Sequence, residues 1–138
     1  MINAISDLNW FGVLLAFVVY FLLAVLWFTV LFKKQYTISL GRENDPQQSL
    51  TPIFIVGPAL CTLIVTLTSA ILMNALNIES YENALVFAII VGFGYLVANT
   101  VDIAINPNIP RPLLYGAISG SYHLVGILMV SIILVSMR

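Results

Sequence analysis

Long apolar runs alternate with short polar stretches along this chain. The first run extends from Trp10 to Phe32, and three more follow at Ile53–Leu76, Ala84–Ile105 and Leu113–Met137. At about 1.5 Å per residue, each is long enough to cross a hydrocarbon core about 30 Å thick. Lipid cannot satisfy an open backbone, so helices are the predicted form. The punctuation agrees. Thr51-Pro52 reads as an N-cap followed by a proline at the first helical position, and Ser80 is placed to cap the third span. Pro107, Pro110 and Pro112 interrupt the chain between spans three and four, and Pro112 suits the opening of the last helix. The prediction is an all-α polytopic membrane protein, a single membrane domain over residues 1–138 with four transmembrane helices in a bundle.

Within each run the small and polar residues share one side. At about 100° per residue, Gly92, Tyr95, Asn99, Asp102 and Asn106 of span three fall within about 80° of one another. On span four, Tyr115, Gly116, Ser119, Tyr122, His123 and Gly126 form a stripe about 100° wide. Span two offers Thr62, Thr66, Ser69 and Met73, and span one offers Asn9, Gly12, Ala16, Tyr20 and Trp27. These faces are expected to turn inward, leaving Leu, Ile, Val and Phe to the lipid. Gly116 and Gly120 also match the small-xxx-small spacing that permits close helix approach, within the chain or in a homo-oligomer.

Composition supports the membrane reading. The chain is 61% hydrophobic and 8% charged, where a soluble domain carries about 25% charged residues. The net charge of −1 argues against a nucleic-acid partner and leaves the lipid bilayer as the main one. The first run is read as a retained span. A signal peptide carries its basic flank ahead of a core of about 7–15 residues, whereas here Asp7 precedes the run and Lys33-Lys34 follow it. Lys33, Lys34 and Arg42 in the first loop and Arg111 in the third outweigh Arg138 on the opposite side. By the positive-inside rule those loops face the cytoplasm and both termini face out, as in the cytoplasmic (inner) membrane of a bacterium. The first loop, "KKQYTISLGRENDPQQSLTP", is too short and polar to bury a core of its own.

Candidate chemistry centres on His123, the single histidine, which lies in a run free of charged side chains. It is about 15 Å into its span, near the bilayer centre. A charged imidazole there would cost several kcal/mol, so a neutral ring with a satisfied donor and acceptor is expected. Ser119, one turn back, is the expected local partner, and Tyr20, Thr66 or Asn99 are within reach from neighbouring helices. Tyr122 points about 100° away and is not an automatic partner. Asp102 sits toward the cytoplasmic mouth and is placed to pair with Arg111 across the proline-rich loop. The candidate ligand-binding set is therefore His123, Tyr122, Ser119, Asn99, Asp102, Tyr20 and Thr66. The plainer reading of His123 is a hydrogen bond that only holds helices together. One His and one Cys leave too few donors for a metal, so no metal, other cofactor or catalytic residue is assigned. Cys61 reads as a small apolar packer, and Pro58 as a kink near the start of span two.

Two segments carry a family resemblance. The first is "LNWFGVLLAFVVYFLLAVLWFTVLFKKQY" at 8–36, with Asn9-Trp10, Leu26-Trp27-Phe28, Leu31-Phe32, Lys34 and Tyr36. The second is "GSYHLVGILMVSIIL" at 120–134, with Ser121, Tyr122, His123 and Gly126. Both resemble the bacterial and fungal membrane proteins grouped as domain-of-unknown-function family 1761. The chain departs from the family pattern at Leu23-Ala24-Val25, where a glycine is expected, and at Thr29-Val30, where a proline is expected. The resemblance implies four spans, brings no activity, and marks Tyr122-His123 and Asn9-Trp10 as places to look.

Three functional readings follow. One is a protein that binds or transports a small ligand through a polar intramembrane site around His123. Another is a membrane enzyme acting on a lipophilic substrate, less favoured because no nucleophile elbow, paired-carboxylate motif or metal cluster is present. The third is an accessory or assembly protein whose polar faces match a partner's helices.

Overall fold

In a computed structural model, residues 3–45 and 51–138 are described; the end of the first loop, 46–50, lies outside them. The chain is all-α and multi-pass, with apolar helices at Trp10–Leu31, Ile53–Ala75, Tyr81–Ala104 and Pro112–Ser136, here spans one to four. These match the predicted runs to within a few residues. Local capping explains where they begin. The Asn9 side chain accepts from the Gly12 amide, Ser80 accepts from Asn83 at 3.2 Å, and Pro112 opens span four. Span two differs from expectation. Pro52 already has helical dihedrals, no side chain caps the helix, and Thr51 contributes only its backbone carbonyl to Phe54.

Span four is the centre of the bundle. Half of its most apolar stretch is buried, against 17%, 22% and 28% for spans one, two and three. It packs against spans one and three along much of its length. Gly116 and Gly120 admit span three closely: a Cβ on either would lie 3.2 Å from Val101 or 3.3 Å from Val97. The small-xxx-small spacing therefore serves a contact inside the chain. Spans two and three meet near their connecting turn, where Met73, Ile78, Ala84 and Phe87 cluster with Val135. Farther from that turn they are not packed on each other, which leaves a gap between them.

The first and third loops share one end of the bundle. A short helix at Lys33–Ser39 docks against span four there, with Ser39 fully buried and the Tyr36 ring between Phe28 and Tyr115. The loop that has no core of its own uses span four as its support. Arg111 donates its amide to the Ser39 carbonyl and pairs with Glu43 at 3.1 Å. The expected Asp102–Arg111 pair is thus replaced, because the docked helix brings Glu43 to Arg111 while Asp102 sits on an exposed face of span three. At the opposite end, Asn9 donates to the Met137 carbonyl, and Arg138 donates to the Ile78 carbonyl and the Asn74 side chain.

The inward faces of spans one, two and four are those predicted: Gly12, Ala16 and Tyr20; Thr62, Thr66, Ser69 and Met73; Gly116, Ser119, Tyr122 and Gly126 are buried. Span three departs after Gly92. Tyr95, Asn99 and Asp102 are exposed, whereas Thr100 and Ala104 are buried. The cause is a π-helical segment at Gly92–Val97. The wider turn inserts one residue, so a constant 100° step carries the wrong phase past it.

Candidate functional site

A cavity of about 400 Å³ occupies the gap between spans two and three, with span four as its floor and Tyr20 of span one at its inner end. The wall carries Thr62, Asn99, Ser119, Tyr122 and His123, and the rim carries Cys61 and Ile103. The sequence places these groups together for a simple reason. Ser119 and His123 are one helical turn apart on the same face of span four. The loop helix adds Tyr36 to the lining, its ring tilted against that of Tyr115 at 5.7 Å. Burial beside Tyr115 pushes the Tyr36 phenol up to about 12.

His123 is held by span one. The Tyr20 hydroxyl and His123 Nδ1 are 2.9 Å apart, and Tyr20 is fully buried. The predicted local partner, Ser119, does not take this bond. Its Oγ is buried and has no hydrogen-bond partner among the described residues, while Nδ1 of the imidazole is engaged by Tyr20 across the helix interface. The Tyr122 ring packs between its neighbours, 5.3 Å from the ring of Tyr20, 4.7 Å from that of His123 and 5.1 Å from that of Phe28. Trp27 Nε1 donates to the Ile118 carbonyl at 3.1 Å, a second tie between spans one and four.

Of the seven sequence-predicted residues, Tyr20, Asn99, Ser119, Tyr122 and His123 line the cavity. Thr66 does not reach it: its hydroxyl is buried and donates to the Thr62 carbonyl in its own helix. Asp102 lies outside the lining, displaced by the shifted phase of span three. Cys61 is exposed on the cavity rim rather than packed in the interior. Phe28 and Tyr36 also line the space, and sequence reasoning assigned neither to it. Tyr36 and Tyr115 flank the ends of spans one and four on the side shared by the first and third loops, a placement that could have pointed to Tyr36.

A second, larger hollow of about 550 Å³ lies at the termini end. Four of its polar side chains, Asn9, Asn74, Glu79 and Arg138, are engaged with one another or with the backbone, and its lining shares no residue with the cavity beside His123. Among the described residues, no three His, Cys, Asp or Glu side chains gather as a metal-binding set.

The profile of a family described as protein of unknown function, DUF1761, matches residues 11–135. The chain belongs to the DUF1761 family. No curated protein and no solved structure matches it. In this DUF1761 member the matched region includes Tyr122, His123 and all the residues that line the cavity between spans two and three, and it starts one residue after Trp10.

Proposed function

We propose that this multi-pass membrane protein binds a small lipid-soluble molecule in the cavity beside His123. The observation that carries the reading is a cavity between apolar spans whose lining residues include polar groups left without partners among the described residues. Among the described residues, Ser119 Oγ has no hydrogen bond, and His123 has none beyond its contact with Tyr20. Leaving a buried hydroxyl unpaired costs about 1–3 kcal/mol, which a bound molecule would offset. Binding is favoured over conduction through one chain because the bundle beyond Tyr20 is filled by Ala16, Ala88, Ile127 and Val130. The loop charges support residence in a bacterial cytoplasmic membrane with the first and third loops inside.

The test is extraction of small molecules from protein purified in lipid nanodiscs, followed by mass spectrometry. Wild type is expected to retain a compound in near-stoichiometric amount. Cys61→Trp, which fills the cavity rim from an exposed position, is expected to lose it. Equal retention by both proteins, or none by wild type, would sink the reading.

A further inference from the structure

The chemistry of the cavity wall narrows the class of ligand. None of the lining side chains is charged. An ion entering from lipid would find no countercharge there, so a neutral ligand is favoured. Much of the wall is aromatic. Phe28 packs on Tyr36 and Tyr122 at 4.8 and 5.1 Å, and Tyr36 packs on Tyr115 at 5.7 Å. Such surfaces suit a flat aromatic molecule, which stacks offset or edge-on against rings.

The hydrogen-bonding groups favour an acceptor on that molecule. A phenol is a better donor than a neutral imidazole N–H, and an imidazole nitrogen is a better acceptor than a phenol oxygen. Across the 2.9 Å contact, Tyr20 therefore donates to His123 Nδ1, which places the ring proton on Nε2. That Nε2–H has no partner among the described residues. Ser119 supplies a second free donor. Thr62, Thr66, Ser69, Thr100 and Ser121 each donate to a carbonyl of their own helix, but Ser119 does not. Ser131 is also unpartnered, but it lies outside the cavity lining. Two donors one turn apart on an uncharged wall are suited to a carbonyl oxygen with two lone pairs.

We infer that the cavity recognises a neutral, planar aromatic carbonyl compound that enters from the bilayer between spans two and three, its oxygen accepting from Ser119 Oγ–H and His123 Nε2–H. This rests on the reading of the cavity as a ligand site. Entry from lipid follows from the rim, where Pro58 and Cys61 of span two and Ile103 of span three are exposed on either side of the gap.

Three probes with fused three-ring frames separate the possibilities: 9-fluorenone, fluorene, which lacks the oxygen, and the cation N-methylacridinium. Binding is measured in nanodiscs, with partition into empty nanodiscs subtracted. Fluorenone is expected to saturate a single site and to bind about tenfold tighter than fluorene. Ser119→Ala and His123→Phe should each weaken fluorenone about three- to tenfold while leaving fluorene unchanged. Ser119→Ala removes a hydroxyl with no partner, so its folding is not at risk. Equal affinity for fluorene, or tighter binding of N-methylacridinium, overturns the carbonyl assignment and leaves a ligand cavity of different chemistry. Saturable binding of none of the three overturns the assignment as well, and the nanodisc extraction then decides separately whether the cavity holds a ligand.

Discussion

Gly126→Ala tests the contact on which the site is built. A Cβ at this position would lie 2.0 Å from Cε2, 2.5 Å from Cδ2 and 2.7 Å from Cζ of Tyr20. Carbon atoms rest at about 3.5–4 Å, so the ring would have to move by about 1.5 Å. It has little freedom to do so. Tyr20 is fully buried, and the Tyr122 ring stands 5.3 Å away on one side. Overpacking of this kind costs about 1–3 kcal/mol. The displaced phenol also leaves His123 Nδ1, and a hydrogen bond between membrane helices contributes about 0.6–2 kcal/mol. A total loss of about 2–4 kcal/mol is expected. Reversible unfolding in mixed micelles, followed by tryptophan fluorescence, measures it. Gly94→Ala is the control, since this exposed glycine's added Cβ meets nothing within 4 Å and should leave stability nearly unchanged. Tyr20→Val in the Gly126→Ala background should recover part of the loss, a coupling that a double-mutant cycle reads directly. If Gly126→Ala unfolds like Gly94→Ala, or if the Gly126→Ala and Tyr20→Val effects are additive, span one does not pack on span four as described.

Three other outcomes follow. Burial pushes the Tyr36 phenol up to about 12, above the ordinary 10, so it favours the folded protein fully below pH 10, and that contribution is lost as the pH climbs through 12; in an ultraviolet titration, Tyr36→Phe should remove one phenol from the absorbance that rises near pH 12. The Arg111–Glu43 pair is solvent-exposed, with side chains 52% and 36% accessible, so Arg111→Ala should change stability by less than about 1 kcal/mol in the same unfolding assay. A nitroxide attached to Cys61 and reconstituted in vesicles should collide readily with oxygen and rarely with a water-soluble nickel chelate; the reverse pattern would mean that the gap between spans two and three is water-filled.

The spans were legible because lipid imposes a length and a composition that few other constraints override, so apolar runs and the punctuation of Ser80 and Pro112 located helices directly. The inward faces of spans one, two and four were legible for a related reason: their small and polar residues recur at a regular helical step. Span three was misread past Gly92, because no residue pattern in Gly92–Val97 announces a π turn and a single inserted residue rotates everything after it. The site was half legible. His123 and Tyr20 could be named as neighbours across spans, but the bond between them depends on Gly126, whose role appears only when the helices are placed against each other. The orphaned Ser119 hydroxyl was hidden for the opposite reason: local geometry offered it a partner one turn away, and tertiary packing took that partner elsewhere. The docking of the Lys33–Ser39 helix was missed because its apolar content is too small to advertise a buried face without span four beneath it.

The central position of span four bears on how the protein is made. During synthesis the first three helices leave the ribosome before the one they assemble around. Until Pro112–Ser136 enters the membrane, Tyr20 has no imidazole to bind and Val97 and Val101 have no glycines to receive them. A nascent chain arrested upstream of Pro112 would present these unfinished surfaces to lipid and to quality-control proteases, so biogenesis is committed only at its last insertion step.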